Sequence, residues 1–315
     1  IKNVIKLGYY AIGIDQDKNS PGVKLCNYFI HSSTYDYANI GVELLRLNKE
    51  YNITGVINRS SGPPVVTAAK IFENLGIPGY SVNAAKIIIN KHILSEYCIN
   101  HSIPCPKTYH YSSMVELDSK NINYPCIVKP SLSIVGKDGV YKVKNKKKLP
   151  DLAERALSAS YNSVAVLQEY IKGKDITLFS YIDKRKLVKL FILEEVNHVD
   201  DYHKVNGRAY IIPSSISGTD IEDEIVDISK RIVKNLEIER TLFIASFRIC
   251  NGKPALIEIH LDMGGQLFFE KLFPTSIDFD IVPYLIKILA GDIYEIPEMH
   301  TTPVAVVYSK EEPLN

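Results

Sequence analysis

Lys129 is the residue from which a chemistry can first be argued. It ends the short apolar run Cys126-Ile127-Val128, which lies between Pro125 and Pro130. The loop 131–139 follows, with Ser131, Ser133, Gly136 and a second lysine, Lys137. A strand-borne ammonium is a point charge, and the amides of a loop of small residues form an anion nest, so the pair suits a bound polyphosphate. An edge-strand lysine before an ordinary turn has the same residue types, and this stretch alone leaves both readings open.

Two further stretches carry candidate chemistry. In VAVLQEYIKGKD (164–175) an apolar strand runs into Gln168-Glu169 and breaks at Gly173. Backbone groups leaving a sheet there can bond the edge of a purine, Gln168 can reach an exocyclic nitrogen, and Asp175 can reach ribose hydroxyls; an amphipathic hairpin reads equally well. Near the C-terminal end, Glu258, His260 and Asp262 alternate onto one face of an extended strand before Gly264-Gly265. Two carboxylates and an imidazole can bind a divalent ion, although Mg²⁺ prefers oxygen ligands. A polar strand face without metal is the alternative.

These residues need elements to hold them. Residues 1–7 read as the end of an amphipathic helix closed by Gly8. Strands are predicted over 9–14, 28–31 and 55–58, and helices over 40–51 and 67–75, the last ending at Gly76. Such alternation implies a parallel, doubly wound sheet. On this pattern a first strand and its glycine turn are expected ahead of residue 1. Residues 81–100 read as a helical region containing Lys91, which taken alone is an ordinary solvated lysine. Pro104 and Pro106 force an extended linker. Strands are expected over 126–128, 176–182, 187–193, 243–250, 255–259 and 303–308, with helices over 149–160, 221–236 and 281–290. The basic run 142–148 reads as a solvated turn. The polar segment 198–210, with Lys204 and Arg208, reads as an exposed loop that faces a substrate.

Composition bounds the classes. The 315 residues suggest about two domains, and a net charge of +1 gives no argument for nucleic acid. No apolar run approaches the roughly 20 residues of a membrane span. The cysteines, Cys26, Cys98, Cys105, Cys126 and Cys250, are scattered without a C-x-x-C pair, so reduced thiols in a cytoplasmic protein are expected.

Taken in order, these pieces resemble the ATP-grasp superfamily, in particular its carboxylate–amine ligases with their biotin carboxylase and carbamoyl-phosphate synthase large-subunit relatives. The resemblance covers essentially the whole chain. It rests on GIPGYSVNAAKIIINKHILSEYCINHSIPCPKTY, YPCIVKPS, VLQEYIKGKD and IEIHLDMGG. It implies a mixed α/β and α+β fold. Residues 1–90 would form a parallel pre-ATP-grasp domain that lacks its first strand. Residues 91–163 would form a subdomain with the phosphate loop, and 164–315 a subdomain with the adenine hinge and metal strand. It implies ATP and Mg²⁺, with Mn²⁺ as an alternative ion, and small carboxylate and amine substrates, with no membrane and a homodimer possible.

By position, Lys91 and Lys129 would touch the ATP phosphates and act in catalysis. Ser131, Ser133, Gly136 and Lys137 would belong to the lid. Gln168, Glu169 and Ile171 would frame the adenine, the last two through backbone groups, and Asp175 would meet the ribose. Glu258 would hold the metal, with His260 and Asp262 beside it. Lys204, Arg208, Gly264 and Gly265 would face the substrates. The chain departs from the family pattern at Ser246, where a second metal carboxylate is usual. It departs again at His260 and Asp262, where the ending E-x-N-x-R has asparagine and arginine. Asp262 is then the candidate for the missing carboxylate. The resemblance implies an ATP-dependent ligase that makes an acyl phosphate and joins it to an amine. A nucleotide-binding protein that keeps the fold without ligation is the other class that the altered strand allows.

Overall fold

The structure, a computed structural model, describes residues 1–118, 122–134, 136–265, 268–292 and 294–308. Helix α1 (Lys2–Lys6) stops at Gly8, which takes the left-handed φ of 85° that such a stop demands. Strands β1 (Ile12–Asp15) and β2 (Tyr28–His31) pair in parallel. Helix α2 (Tyr37–Tyr51) starts where the Asp36 side chain accepts the Asn39 N–H, and α3 (Pro63–Leu75) starts on two prolines and ends at Gly76. Ile30, Ile40, Leu44, Leu47 and Ile71 form the core between them.

The doubly wound sheet is smaller than expected. Residues 55–58 form no strand, and among the described residues β1 and β2 make a two-stranded sheet. The cause is local: Gly55 packs so closely on the helix Val282–Ala290 that a Cβ would lie 2.4 Å from the Leu289 carbonyl oxygen. The apolar run leans on a helix instead of pairing.

The region 81–100 is two helices, α4 (Val82–Ile89) and α5 (Lys91–Asn100), broken by Asn90 at an extended φ/ψ of −104°/107°. That break makes Lys91 the first residue of a helix. Next come β3 (Thr108–Tyr111), α6 (Met114–Asp118), β4 (Cys126–Pro130), β5 (Tyr141–Val143), α7 (Leu149–Ser158) and β6 (Ala165–Glu169). The four strands form an antiparallel sheet in the order β3-β6-β4-β5, packed on α7 through Tyr111, Val128, Val143 and Leu152. The basic run is therefore partly a strand: Lys142 lies in β5, with its ammonium 3.5 Å from the Tyr170 ring centroid.

The largest sheet contains β7 (Lys174–Asp183), β8 (Lys186–Val199), β9 (Val205–Ile212), β10 (Thr241–Cys250), β11 (Lys253–His260) and β12 (Val304–Val307), ordered β11-β10-β7-β8-β9-β12. Alternating side chains go to opposite faces. Ile176 and Leu178 of β7 meet Ile225, Ile228 and Ile232 of α8 (Asp220–Asn235). Phe179 meets the aromatic cluster of a π-helical turn, Phe268–Leu272, and α9 (Phe273–Ile277), against which α10 (Val282–Ala290) also packs. Phe191 and Phe273 stack at 4.1 Å. The segment 198–210 is no loop. It is the end of the β8–β9 hairpin, with Asn197 opposite Gly207 and Val199 opposite Val205. Its polar alternate residues disguised the two-residue period. Among the described residues, no helix is long and apolar enough to cross a membrane.

Candidate active site

Loop 52–62, the first residue of α5, the loop after β4, and strands β7, β8, β10 and β11 enclose a cavity of about 1570 Å³. Lys91, Ser133, Gly136, Lys137, Glu258, His260, Asp262, Gly264 and Gly265 all line it. Residues far apart in sequence thus share one wall.

Of the two lysines expected at a phosphate, Lys91 lines the cavity and Lys129 lies behind its wall. Lys129 is 4 % exposed in β4. Burial pushes its ammonium down to about 8, against the opposing pull of Glu258; Lys91 and Arg248 add to the depression. Lys91 donates to Ser133 Oγ at 3.3 Å, and its Nζ lies 3.7 Å from Glu258 Oε2. Lys129 and Lys91 therefore both feel one carboxylate, Glu258.

Ser131 does not join them. It is fully buried, its carbonyl accepts the Lys91 N–H at 2.9 Å, and its Oγ is 2.6 Å from His92 Nδ1. Its place is that of a pin between β4 and α5, since its hydroxyl is already used inside the protein. The rest of the loop is tied to β8 and β9. Lys137 donates to Glu195 and Asn197, and Lys204 pairs with Asp138 at 3.2 Å. Lys204 thus holds the loop instead of facing substrate, and Arg208 points outward from β9; neither lines the cavity.

The hinge residues are likewise engaged within the protein. Gln168 is buried and donates to Thr108 Oγ1 at 3.0 Å, tying β6 to β3. Glu169 N–H donates to the Lys107 carbonyl at 2.9 Å, and the Ile171 carbonyl accepts from Arg248 at 3.1 Å. Asp175, expected at a ribose, is neutralised instead by the Arg248 fork, whose Nε donates to Oδ1 at 2.7 Å, and by Asn197 Nδ2 at 2.7 Å. None of these four residues lines the cavity.

The strand end differs most from expectation. His260 lies between two carboxylates, with Nε2 3.5 Å from Glu258 Oε1 and Nδ1 3.8 Å from Asp262 Oδ2. Burial works against its charge, but hydrogen bonding to Asp262 and Glu258 outweighs burial and raises its pKa to about 10. Burial also opposes ionisation of Glu258, yet His260, Lys91 and Lys129 hold its carboxyl well below the usual range. Asp262 is 2 % exposed. There burial is outweighed by His260, by the Gly264 N–H at 2.7 Å and by the Ser61 hydroxyl at 3.0 Å, so its pKa is lowered.

The anticipated metal residues Glu258, His260 and Asp262 thus stand as an ion-paired row, with the imidazole between the two carboxylates. In that charge state the imidazole offers no lone pair, and the Asp262 oxygens accept from Ser61 and Gly264. Among the described residues, no group of three or more His, Cys, Asp or Glu is arranged to hold a metal. The residues present fit a single Mg²⁺, held by the Glu258 carboxylate together with nucleotide phosphate oxygens, which is a usual set for this ion. At the second carboxylate position, Ser246 lies opposite Glu258, with its hydroxyl 3.1 Å from Thr177 Oγ1.

Sequence reading missed Glu195, Asn197, Thr177 and Arg248 because their partners lie on other strands or in the loop after β4. The alternation Glu195-Asn197 was the available signal. It missed Ser61 and Arg59 because their loop follows a run that imitates a strand.

Residues 122–269 match the family model of the ATP-grasp domain. Over 225 residues the chain is 27 % identical to the carbamoyl phosphate synthase large chain of Pyrococcus furiosus, covering 69 % of this chain and 20 % of that one. The chain spans about a fifth of the length of the curated relatives it matches. Among solved structures, an L-amino acid ligase from Bacillus licheniformis superposes with a TM-score of 0.74 at 16 % identity, covering 93 % of this chain and 71 % of that one. The biotin carboxylase domain dimer of Hydrogenobacter thermophilus 2-oxoglutarate carboxylase, complexed with MgADP and bicarbonate, gives 0.70 at 16 % identity, covering 94 % and 67 %. At these identities the structures establish a shared fold.

Proposed function

We propose, from the premise that this chain carries an ATP-grasp domain over residues 122–269, that it is an ATP-dependent ligase joining a small carboxylate to an amine. The observation that carries the reading is the convergence of Lys91 and Lys129 on Glu258 beside the loop that carries Lys137. In this reading a unit over 1–90 faces a phosphate-loop unit over 91–163 and a hinge-and-metal unit over 164–315. Lys91, Lys129, Ser133, Gly136 and Lys137 hold the phosphates. The compartment is a reducing one, as the free thiols of all five cysteines suit.

The reaction balances without a protein nucleophile. A carboxylate oxygen attacks the γ-phosphorus, the bond to the β–γ bridging oxygen breaks, and ADP leaves. The amine nitrogen then attacks the acyl carbon, the C–O bond to phosphate breaks, and phosphate and one proton are released. Lys91 and Lys129 offset charge on the transferring phosphoryl group, and positioning supplies most of the rate. Mg²⁺ held by Glu258 and phosphate oxygens would add further charge neutralisation. Closure of the loop would keep water from the acyl phosphate.

The test is ADP release from ATP and Mg²⁺ with paired panels of carboxylic acids and amines. Release that requires both partners is the expected result. Tight ATP binding without partner-dependent release would instead favour a nucleotide-binding protein without ligation. The pairing of Ser246, rather than a carboxylate, with Glu258 motivates that second reading.

A further inference from the structure

The E-x-N-x-R ending has lost its cation: Asp262 stands where arginine is usual, and it is buried and anionic. The N-terminal domain supplies another. Arg59 lies in the loop between the extended run 53–58 and α3, and among the described residues of 1–90 it is the one Lys or Arg that lines the cavity. The same wall holds Asp15, at the carboxyl end of the parallel strand β1, with Gln16 just past it and Ser33 and Thr34 just past that of β2. That edge is where parallel sheets place their ligands.

The Arg59 side chain is 50 % exposed and pairs through Nη1 with Glu270, at 37 % exposure, on the π-helical turn. No other hydrogen bond to Arg59 forms among the described residues. Among the described residues its Nε–Nη2 edge therefore has no hydrogen-bond partner. Such an edge, held still by a carboxylate on Nη1, is the geometry that takes a second carboxylate through two parallel bonds. The loop is fixed close to the reacting end, because Ser61 donates to Asp262 at 3.0 Å and Met263 N–H donates to the Asn58 carbonyl at 3.0 Å.

We infer that Arg59 holds the carboxylate of the amine acceptor, so that the acceptor is an α-amino acid. This rests on the ligase reading: the carboxylate to be activated belongs beside Lys91 and Glu258, and a carboxylate at Arg59 belongs to the other substrate.

The test is calorimetric binding of the L-α-amino acids, each against its α-carboxamide, to the full chain with MgADP present. At least one amino acid binds and its carboxamide binds about 10- to 100-fold more weakly, as expected for a charge-assisted contact. Arg59→Gln erases that difference. Glu270→Gln breaks the same ion pair and keeps it, which a merely structural role of the pair does not predict. Equal weakening by both variants, equal binding of acid and carboxamide, or no binding of any amino acid overturns the assignment. Partner-dependent ADP release with amines that lack a carboxylate keeps the ligase reading and also overturns it. Binding that depends on Arg59 without any turnover keeps Arg59 and removes the ligase reading.

Discussion

Lys129→Met is expected to weaken MgATP binding about 10- to 100-fold, equivalent to the ~1.5–3 kcal/mol of a hydrogen bond to a charged group. Methionine keeps the volume of a side chain that is 4 % exposed, so the loss reports the charge and not a cavity. Turnover should fall further, by about 10²–10³-fold, because the phosphoryl charge that Lys129 offsets is greatest in the transition state. Calorimetric titration and single-turnover ADP release separate the two effects. ATP affinity equal to that of the unchanged protein would remove Lys129 from the nucleotide site.

The buried ammonium also predicts how nucleotide binding depends on pH. Burial depresses the Lys129 pKa to about 8, whereas an unfolded lysine titrates near ~10.4. Phosphate oxygens favour the charged form, so binding above about pH 8 must take up a proton, and affinity must fall as pH rises through that value. Titrations at pH 8.5 in buffers of different ionisation enthalpy measure that proton directly. Folding carries the opposite sign. Between about 8 and ~10.4 the unfolded chain holds a proton that the folded chain has lost, so this residue's contribution to stability rises with pH. The stability of the unchanged protein relative to Lys129→Met should therefore rise with pH across that window.

What could be read in the sequence was what the chain does locally. Cys126–Pro130 announces a strand with a cation in it, and Glu258, His260 and Asp262 declare their shared face by spacing alone. Lys91 was legible only through the resemblance, because its prominence comes from the break at Asn90 that opens α5. Pairings across strands were hidden. Lys137 and Glu195 are 58 residues apart, and Arg248 and Asp175 are 73 apart. No local pattern joins such partners; register does. The same reason explains why Asp175 looked free for a ribose and Lys204 free for a substrate. Charge state was further out of reach. His260 is an imidazolium because Glu258 and Asp262 flank it once the strand is folded and the site is shielded.

Asp262→Ala is expected to destabilise the fold by about 3–5 kcal/mol, the range for removing one partner of a buried charge pair. The side chain is 2 % exposed and answers three groups, the His260 imidazolium, the Ser61 hydroxyl and the Gly264 N–H. Ser61 belongs to the loop before α3, so one carboxylate ties the N-terminal layer to the end of β11. Asp262→Asn keeps the size and an acceptor oxygen but loses the charge, and should fall between alanine and the unchanged protein. Ser61→Ala removes one neutral donor to the carboxylate and should cost no more than about 1.5–3 kcal/mol. Chemical denaturation of the four proteins provides the ranking, and an alanine variant within about 0.5 kcal/mol of the unchanged protein, the scatter of neutral surface changes, would refute the latch. The pH dependence has two limbs. The His260 pKa is raised to about 10, so its contribution is full below ~6.5 and is lost as pH climbs through about 10. The Asp262 pKa is lowered, so its contribution is present above ~3.9 and is lost as pH falls below that. Both limbs should flatten in Asp262→Ala.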